Sequence, residues 1–232
     1  ETNFNLIYAM RKINFALFVS GLLIVGTSRL SAQQTDTLTN LPNLLLPRFT
    51  AGIVKLKSGL VNKAILNYDL VNQQMVFLQR KLTLVVDEPE KIDTVFLANR
   101  IFVPFPKGFY EVLMKEGNVT LFKQHKAYVE SPGMPVGYGA KSQTAAPNYV
   151  HQIYGPTGVI KLKLPDDFKV TDDSQYWIRI GDKMSSFENR KQLLKILKDK
   201  QKELEMFIAG NKTDFKKSED VKNLIIHYIS LK

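Results

Sequence analysis

Between Phe49 and Val129 the chain breaks into short runs rich in Val, Leu, Phe, Tyr and Thr, each closed by turn-forming residues. The runs cover residues 49–57, 62–70, 74–79, 82–86, 93–98, 100–105, 109–115 and 119–129. Segments this short, recurring about every 10 residues, do not support long amphipathic helices; they suit antiparallel strands joined by tight turns. Glu116-Gly117-Asn118 reads as a hairpin turn. Pro104 and Pro106 restrict their strand to the edge of a sheet or to its own end, because proline cannot donate to a ladder. Two further runs, 158–164 (GVIKLKL) and 175–180 (QYWIRI), read as strands on either side of the stretch from Pro165 to Ser174, with a turn at Gly181-Asp182.

The last fifty residues change period. Ser185 with Glu188 has the spacing of a capping box, which predicts a first helix to about Leu197. Asp199 is placed to cap a second, carrying Leu204, Phe207 and Ile208 on one face and stopping at Gly210-Asn211. Ser218 opens a third, with Val221, Leu224, Ile225 and Tyr228 at helical spacing. The expected fold class is therefore α+β: a mainly antiparallel sheet (a meander, sandwich or open barrel) followed by about three short helices.

Three segments precede and interrupt this plan. Residues 1–32 read as a secretory signal peptide with an upstream extension: Met10-Arg11-Lys12 as start and basic region, an apolar stretch over 13–26, and a short polar region ending at Ala32. The apolar stretch falls short of the roughly 20 residues a spanning helix needs. Leu30 stands where a small residue is usual for cleavage after Ala32, so an uncleaved anchor is the alternative. Residues 33–47 form an extended lead-in with Leu44 to Leu46 docking onto the body, residues 48–182 the β-rich domain, and 183–232 the helical segment. Within the β-rich domain, 130–156 holds four prolines and four glycines and reads as a long loop of functional or mobile character.

Cysteine is absent from the sequence, which excludes disulfides, zinc–thiolate sites, iron–sulfur clusters and a thiol nucleophile within it. The formal charge is +10, which favours acidic partners, although the lysines are scattered and suit a solvated basic surface. Hydrophobic residues at 44% and charged residues at 23% give the balance of a globular chain with a core of its own.

The run 49–78 (FTAGIVKLKSGLVNKAILNYDLVNQQMVFL) carries a glycine-turned strand, a leucine–asparagine–tyrosine strand and a strand with methionine and phenylalanine. This pattern, with Thr94-Val95 to Phe102, Phe109 to Leu113 and the helical tail from Asn189, resembles uncharacterised exported envelope proteins of the Bacteroidota. The resemblance implies an envelope location and brings no catalytic residues with it.

Motifs for chemistry are sparse. His125, His151 and His227 lie far apart, without a second ligand at metal-binding spacing, so neither a metal nor another cofactor is expected. His125 falls in a strand among lysines and is expected to face solvent. Gly137-Tyr138-Gly139 lacks the third glycine of a dinucleotide site, and no Walker-type loop or G-x-S-x-G occurs. Asp172-Asp173 and Asp166-Asp167 suit turn chemistry better than a calcium loop. Tyr138, Lys141, Tyr149, His151 and Tyr154, with Met134, either form a recognition surface or pin the long loop to the sheet. The leading functional expectation is an exported, periplasmic or outer-membrane-associated binding or structural module that contacts another envelope protein and is not an enzyme. The alternatives are a hydrolase built on Ser142, His151, Asp166 and Asp167, or a binder of polyanions such as anionic glycan or lipid. Nucleic acid is not an expected partner, and strands this short do not suit an integral barrel.

Overall fold

The structure, a computed structural model, describes residues 40–79, 82–86, 88–130, 134–136, 140–142, 164 and 168–232. Strands β1 (Thr50–Leu56), β2 (Val61–Asp69), β3 (Gln74–Gln79), β4 (Leu82–Val85), β5 (Ile92–Leu97), β6 (Arg100–Phe105), β7 (Gly108–Glu116) and β8 (Val119–Gln124) follow the expected runs closely. After β9 (Ala127–Glu130), β10 (Met134–Val136), β11 (Ala140–Ser142) and β12 (Lys169–Asp172) come β13 (Gln175–Ile180) and β14 (Lys183–Phe187). The chain ends in α1 (Arg190–Ile196), α2 (Gln201–Asn211) and α3 (Ser218–Ser230). The fold is thus α+β, mainly an open antiparallel sheet with three helices at its C-terminal end.

Ten strands form one sheet in the order β14-β13-β8-β7-β6-β5-β1-β2-β3-β4. The strands β1 to β4 make one meander and β5 to β8 a second; β5 returns to pair with β1, so the two meanders share a single sheet. Register places Phe187, Tyr176, Lys123, Glu111, Phe102, Val95 and Val54 on one continuous line across seven strands. That line belongs to the inner face. Its β1-to-β7 end holds a core of Val54, Leu66, Tyr68, Met75, Leu97 and Phe102. At the β8-to-β14 end, Leu121, Tyr176, Ile178 and Phe187 pack under the helices against Leu193, Leu204, Leu224 and Ile225.

Leu44 to Leu46 dock as the sequence suggested. Leu44 bridges Asp69, the Leu45 N–H donates to the Tyr68 carbonyl at 2.9 Å, and the Asn67 amide exchanges two hydrogen bonds with the backbone of Leu46. Pro104 sits near the end of β6, where β7 alone is paired with it, so its missing N–H costs the ladder nothing.

The sheet curls until the turn after β2 meets the turn before β7. Gly108, at φ +119, marks the contact: a Cβ there would lie 2.2 Å from the Gln73 carbonyl oxygen. No side chain fits without moving backbone, and the φ itself is strained for any L-residue. Gly108→Ala is therefore expected to cost at least about 1–3 kcal/mol, read as a lowered urea midpoint with an unchanged slope.

Several expectations are corrected. Residues 119–129 are two strands, because the chain leaves the main sheet at His125-Lys126 and β9 pairs instead with β12. The stretch from Pro165 to Ser174, read as linking sequence, contains β12, and Met134–Val136 and Ala140–Ser142 of the long loop pair as β10 and β11. Ser185 is no helix cap: it pairs with Ile178 inside β14. The cap of α1 is Asn189, whose side chain accepts from the Gln192 N–H at 3.1 Å. Nor does Asp199 cap α2, which starts at Gln201 without a side-chain cap; Asp199 instead accepts the Tyr228 hydroxyl and ties α3 to that turn. α2 runs through Gly210 and Asn211 and stops at Lys212 in left-handed conformation. The run 158–164 lies outside the described residues except for Leu164.

Candidate functional site

Two places among the described residues gather groups that packing alone does not require. The first lies on the inner face, where the apolar line is interrupted by charge. His125, expected at the surface, is buried: its relative exposure is 5%, and that of Glu111 is 7%. The chain turns inward where β8 ends, carrying the imidazole beneath the sheet. His125 Nε2 lies 2.5 Å from Glu111 Oε2, and the Arg100 guanidinium donates to the same oxygen at 2.9 Å. The ring packs edge-on to Tyr68 and tilted against Phe102. The Tyr68 hydroxyl sits between two backbone acceptors, the Phe109 and His125 carbonyls, at 3.2 and 3.1 Å.

Electrostatics fix the protonation of this group. Burial pushes the His125 imidazolium down below 6.5, more strongly than the bond to Glu111 raises it. Burial also works to raise Glu111, but His125 and Arg100 together outweigh it and hold the carboxyl below its ordinary value. Neutral imidazole thus donates from Nε2 to an ionised carboxylate. Lys123, beside Glu111 on the inner face, is likewise lowered by burial; its ammonium donates to Ser218 Oγ at the start of α3. These groups resemble an acid–base constellation in composition, but acid–base work needs a substrate within hydrogen-bond reach. Glu111 and His125 are enclosed, and Arg100 supplies the only partly exposed member of the trio, with 37% of its side chain accessible. Together they make a hydrogen-bonded polar cluster in the otherwise apolar inner face.

The second place is the outer face of β2, β1, β5 and β6. Alternation turns Ile53, Ile65, Phe96 and Ile101 outward, at 37, 44, 42 and 42% exposure. Ile53 pairs directly with Phe96, and Phe96 with Ile101, so the side chains form an unbroken row across strands; Ile65 stands opposite Ala51 beside it. Lys63 continues the row and Lys55 borders it, paired with Asp93 at 3.2 Å. The same face carries an aromatic group further along. Tyr110 stacks between Phe105 and Trp177, and Trp177 Nε1 donates to Gln124 Oε1 at 2.9 Å. Singly exposed apolar residues are ordinary; an aligned row of three with a fourth diagonal to it is not.

A groove of about 710 Å³ opens between β3–β4 and the β6–β7 turn, with Phe77, Leu84, Val85, Phe105 and Phe109 in its walls. Among the described residues, Lys107 is the one charged residue in its lining.

The loop residues singled out from sequence, Tyr138, Tyr149, His151 and Tyr154, lie outside the described residues, as do Asp166 and Asp167. Lys141, Ser142 and Met134 belong to the β10–β11 hairpin, whose backbone alone is described. His227 lies in α3 with its ring stacked on Phe207 at 4.3 Å, a packing role. Among the described residues no group of three or more His, Cys, Asp and Glu side chains could hold a metal ion, and no helix is long and apolar enough to cross a membrane. Sequence reasoning missed both Glu111–His125 and the outward row. The first had no local signal; the second shows as apolar residues on both faces of β1, β2 and β5. Comparison with protein-family models, with curated proteins and with solved structures finds no match to this chain.

Proposed function

We propose that the chain is an exported, non-enzymatic binding module of the cell envelope that docks to another envelope protein through the outer face of β2, β1, β5 and β6. The observation that carries this reading is the aligned row Ile53, Phe96 and Ile101 with Ile65 beside it, left open to water on the sheet. Burying such a row gains roughly 25 cal/mol for each Å² removed from water, so a sheet presenting it gains by association. The leader-like residues 1–32 support export, and the enclosed state of Glu111 and His125 supports binding over catalysis.

A photo-crosslinking residue at position 101, introduced into the chain in its own envelope, tests the proposal. One defined protein adduct is expected, and Phe96→Asp should cut its yield at least about tenfold, the loss of one well-buried interface anchor. As a surface change, Phe96→Asp should alter stability by only about 0.5 kcal/mol. An adduct formed equally well by the Phe96→Asp protein would sink the reading, and so would the absence of any adduct.

A further inference from the structure

We infer that the tip of the β1–β2 hairpin is an interfacial anchor for an anionic lipid surface. The stretch from Arg48 to Tyr68 contains Arg48, Lys55, Lys57 and Lys63 and no acidic residue. At its turn, Leu60 and Val61 are 65% and 56% exposed, well above the outward row on the strands behind them. The turn is rigid: the Gly59 N–H donates to the Leu56 carbonyl and the Leu56 N–H to the Leu60 carbonyl, both at 2.9 Å, with Gly59 at φ +89. This is a type I turn closed by a glycine bulge, which holds the two aliphatic side chains at the far end of the sheet.

Lys57 and Lys63 flank the tip and are exposed; among the described residues neither makes an ion pair. Among the described residues three acids stand nearby: Asp93 is paired with Lys55 and also feels the charge of Lys57, Glu88 is paired with Lys91, and Glu90 lies in the short turn Pro89–Lys91 beside the hairpin. An aliphatic point with a cationic collar matches a lipid interface, where phosphate gives way to hydrocarbon over a few ångströms. A polynucleotide or a soluble glycan offers the collar its charge but gives Leu60 and Val61 no apolar phase to enter.

The experiment is flotation of the full processed protein, purified from the envelope, with vesicles of phosphatidylcholine alone or mixed with phosphatidylglycerol. Any contribution of the N-terminus is common to all variants. The protein is expected to float with the anionic vesicles, less so as salt rises from about 0.1 to about 0.5 M. The double variant Leu60→Ser/Val61→Ser should lower partitioning at least about tenfold, and Lys57→Gln/Lys63→Gln should flatten the salt dependence. Phe96→Asp should float as the parent does, which separates failure of the anchor from failure of the protein-docking face. Equal binding to neutral vesicles, absence of binding, or binding untouched by the tip substitutions would each overturn the assignment.

Discussion

Glu111→Leu is expected to cost about 3–5 kcal/mol of folding stability, nearer the lower figure, seen as a large drop in urea midpoint. The substitution leaves the buried His125 ring without its acceptor and removes the counter-charge of Arg100. The partial exposure of Arg100 moderates the cost, since the guanidinium can turn to water. A second change, His125→Phe in the Glu111→Leu background, should recover part of the loss, because an apolar pair no longer strands a polar group. Recovery of nothing would mean that backbone contacts at the β8–β9 break, not the side-chain pair, set the stability.

The same cluster gives the stability a pH dependence of defined sign. His125 has a folded pKa below 6.5, so as pH falls through 6.5 the unfolded chain takes up a proton that the folded chain refuses. Glu111 is also held below its ordinary value of 4.5, so between 4.5 and its folded pKa the unfolded state again binds more protons. Both effects run one way: stability present at neutral pH is lost on acidification, first below 6.5 and further below 4.5. Denaturation midpoints across that range should show both limbs in the parent, and a flatter lower limb in Glu111→Leu.

Leu224→Ala should cost about 2–5 kcal/mol. Leu224 is fully buried in the cluster where α3 meets Leu121 and Ile178 of the sheet and Leu204 of α2. The helices are a lid on one end of a shared core, with three elements meeting at this side chain, so a cavity there cannot collapse onto a single partner. A cost under about 1 kcal/mol in chemical denaturation would show that the helical end unfolds separately from the sheet.

Much of this architecture was legible in residue order, and the failures are instructive. Strands β3, β6 and β13 were found to the residue, because turn-forming sequence bounds runs with strand composition. Ser185 with Glu188 and Asn189 with Gln192 offer equivalent local caps, and the sequence alone does not rank the later one first. Pairing of Lys183–Phe187 with β13 decided between them, and a distant strand leaves no mark on a local motif. His125 is hidden from local reading for the same reason: lysines on either side suggest solvent, while its interior partner, Glu111, lies 14 positions away and is itself held by Arg100, 11 positions further back. The outward row escaped notice because alternation tells which residues share a face, but not which face lies outside when both are apolar. The acid-free stretch around the hairpin tip could have been read directly.

The strand order also sets a timetable for folding. Each neighbour within β1 to β4, and within β5 to β8, is separated by no more than four residues, so those contacts form between residues close in the chain. The pairing of β13 with β8 is different, since it brings Gln175 against Gln124 across fifty intervening positions. Closing so long a span costs entropy before any of its contacts stabilise the product. Because the helical core is built on β13 and β14, its consolidation waits on that slow closure, while the two meanders can already exist. A nascent chain therefore presents an assembled sheet whose apolar end, Leu121 and its neighbours, stays open until residues 175–232 arrive. That interval is when the molecule is most exposed to proteases and to unwanted partners, and its length is set by connectivity rather than by the stability of the finished fold.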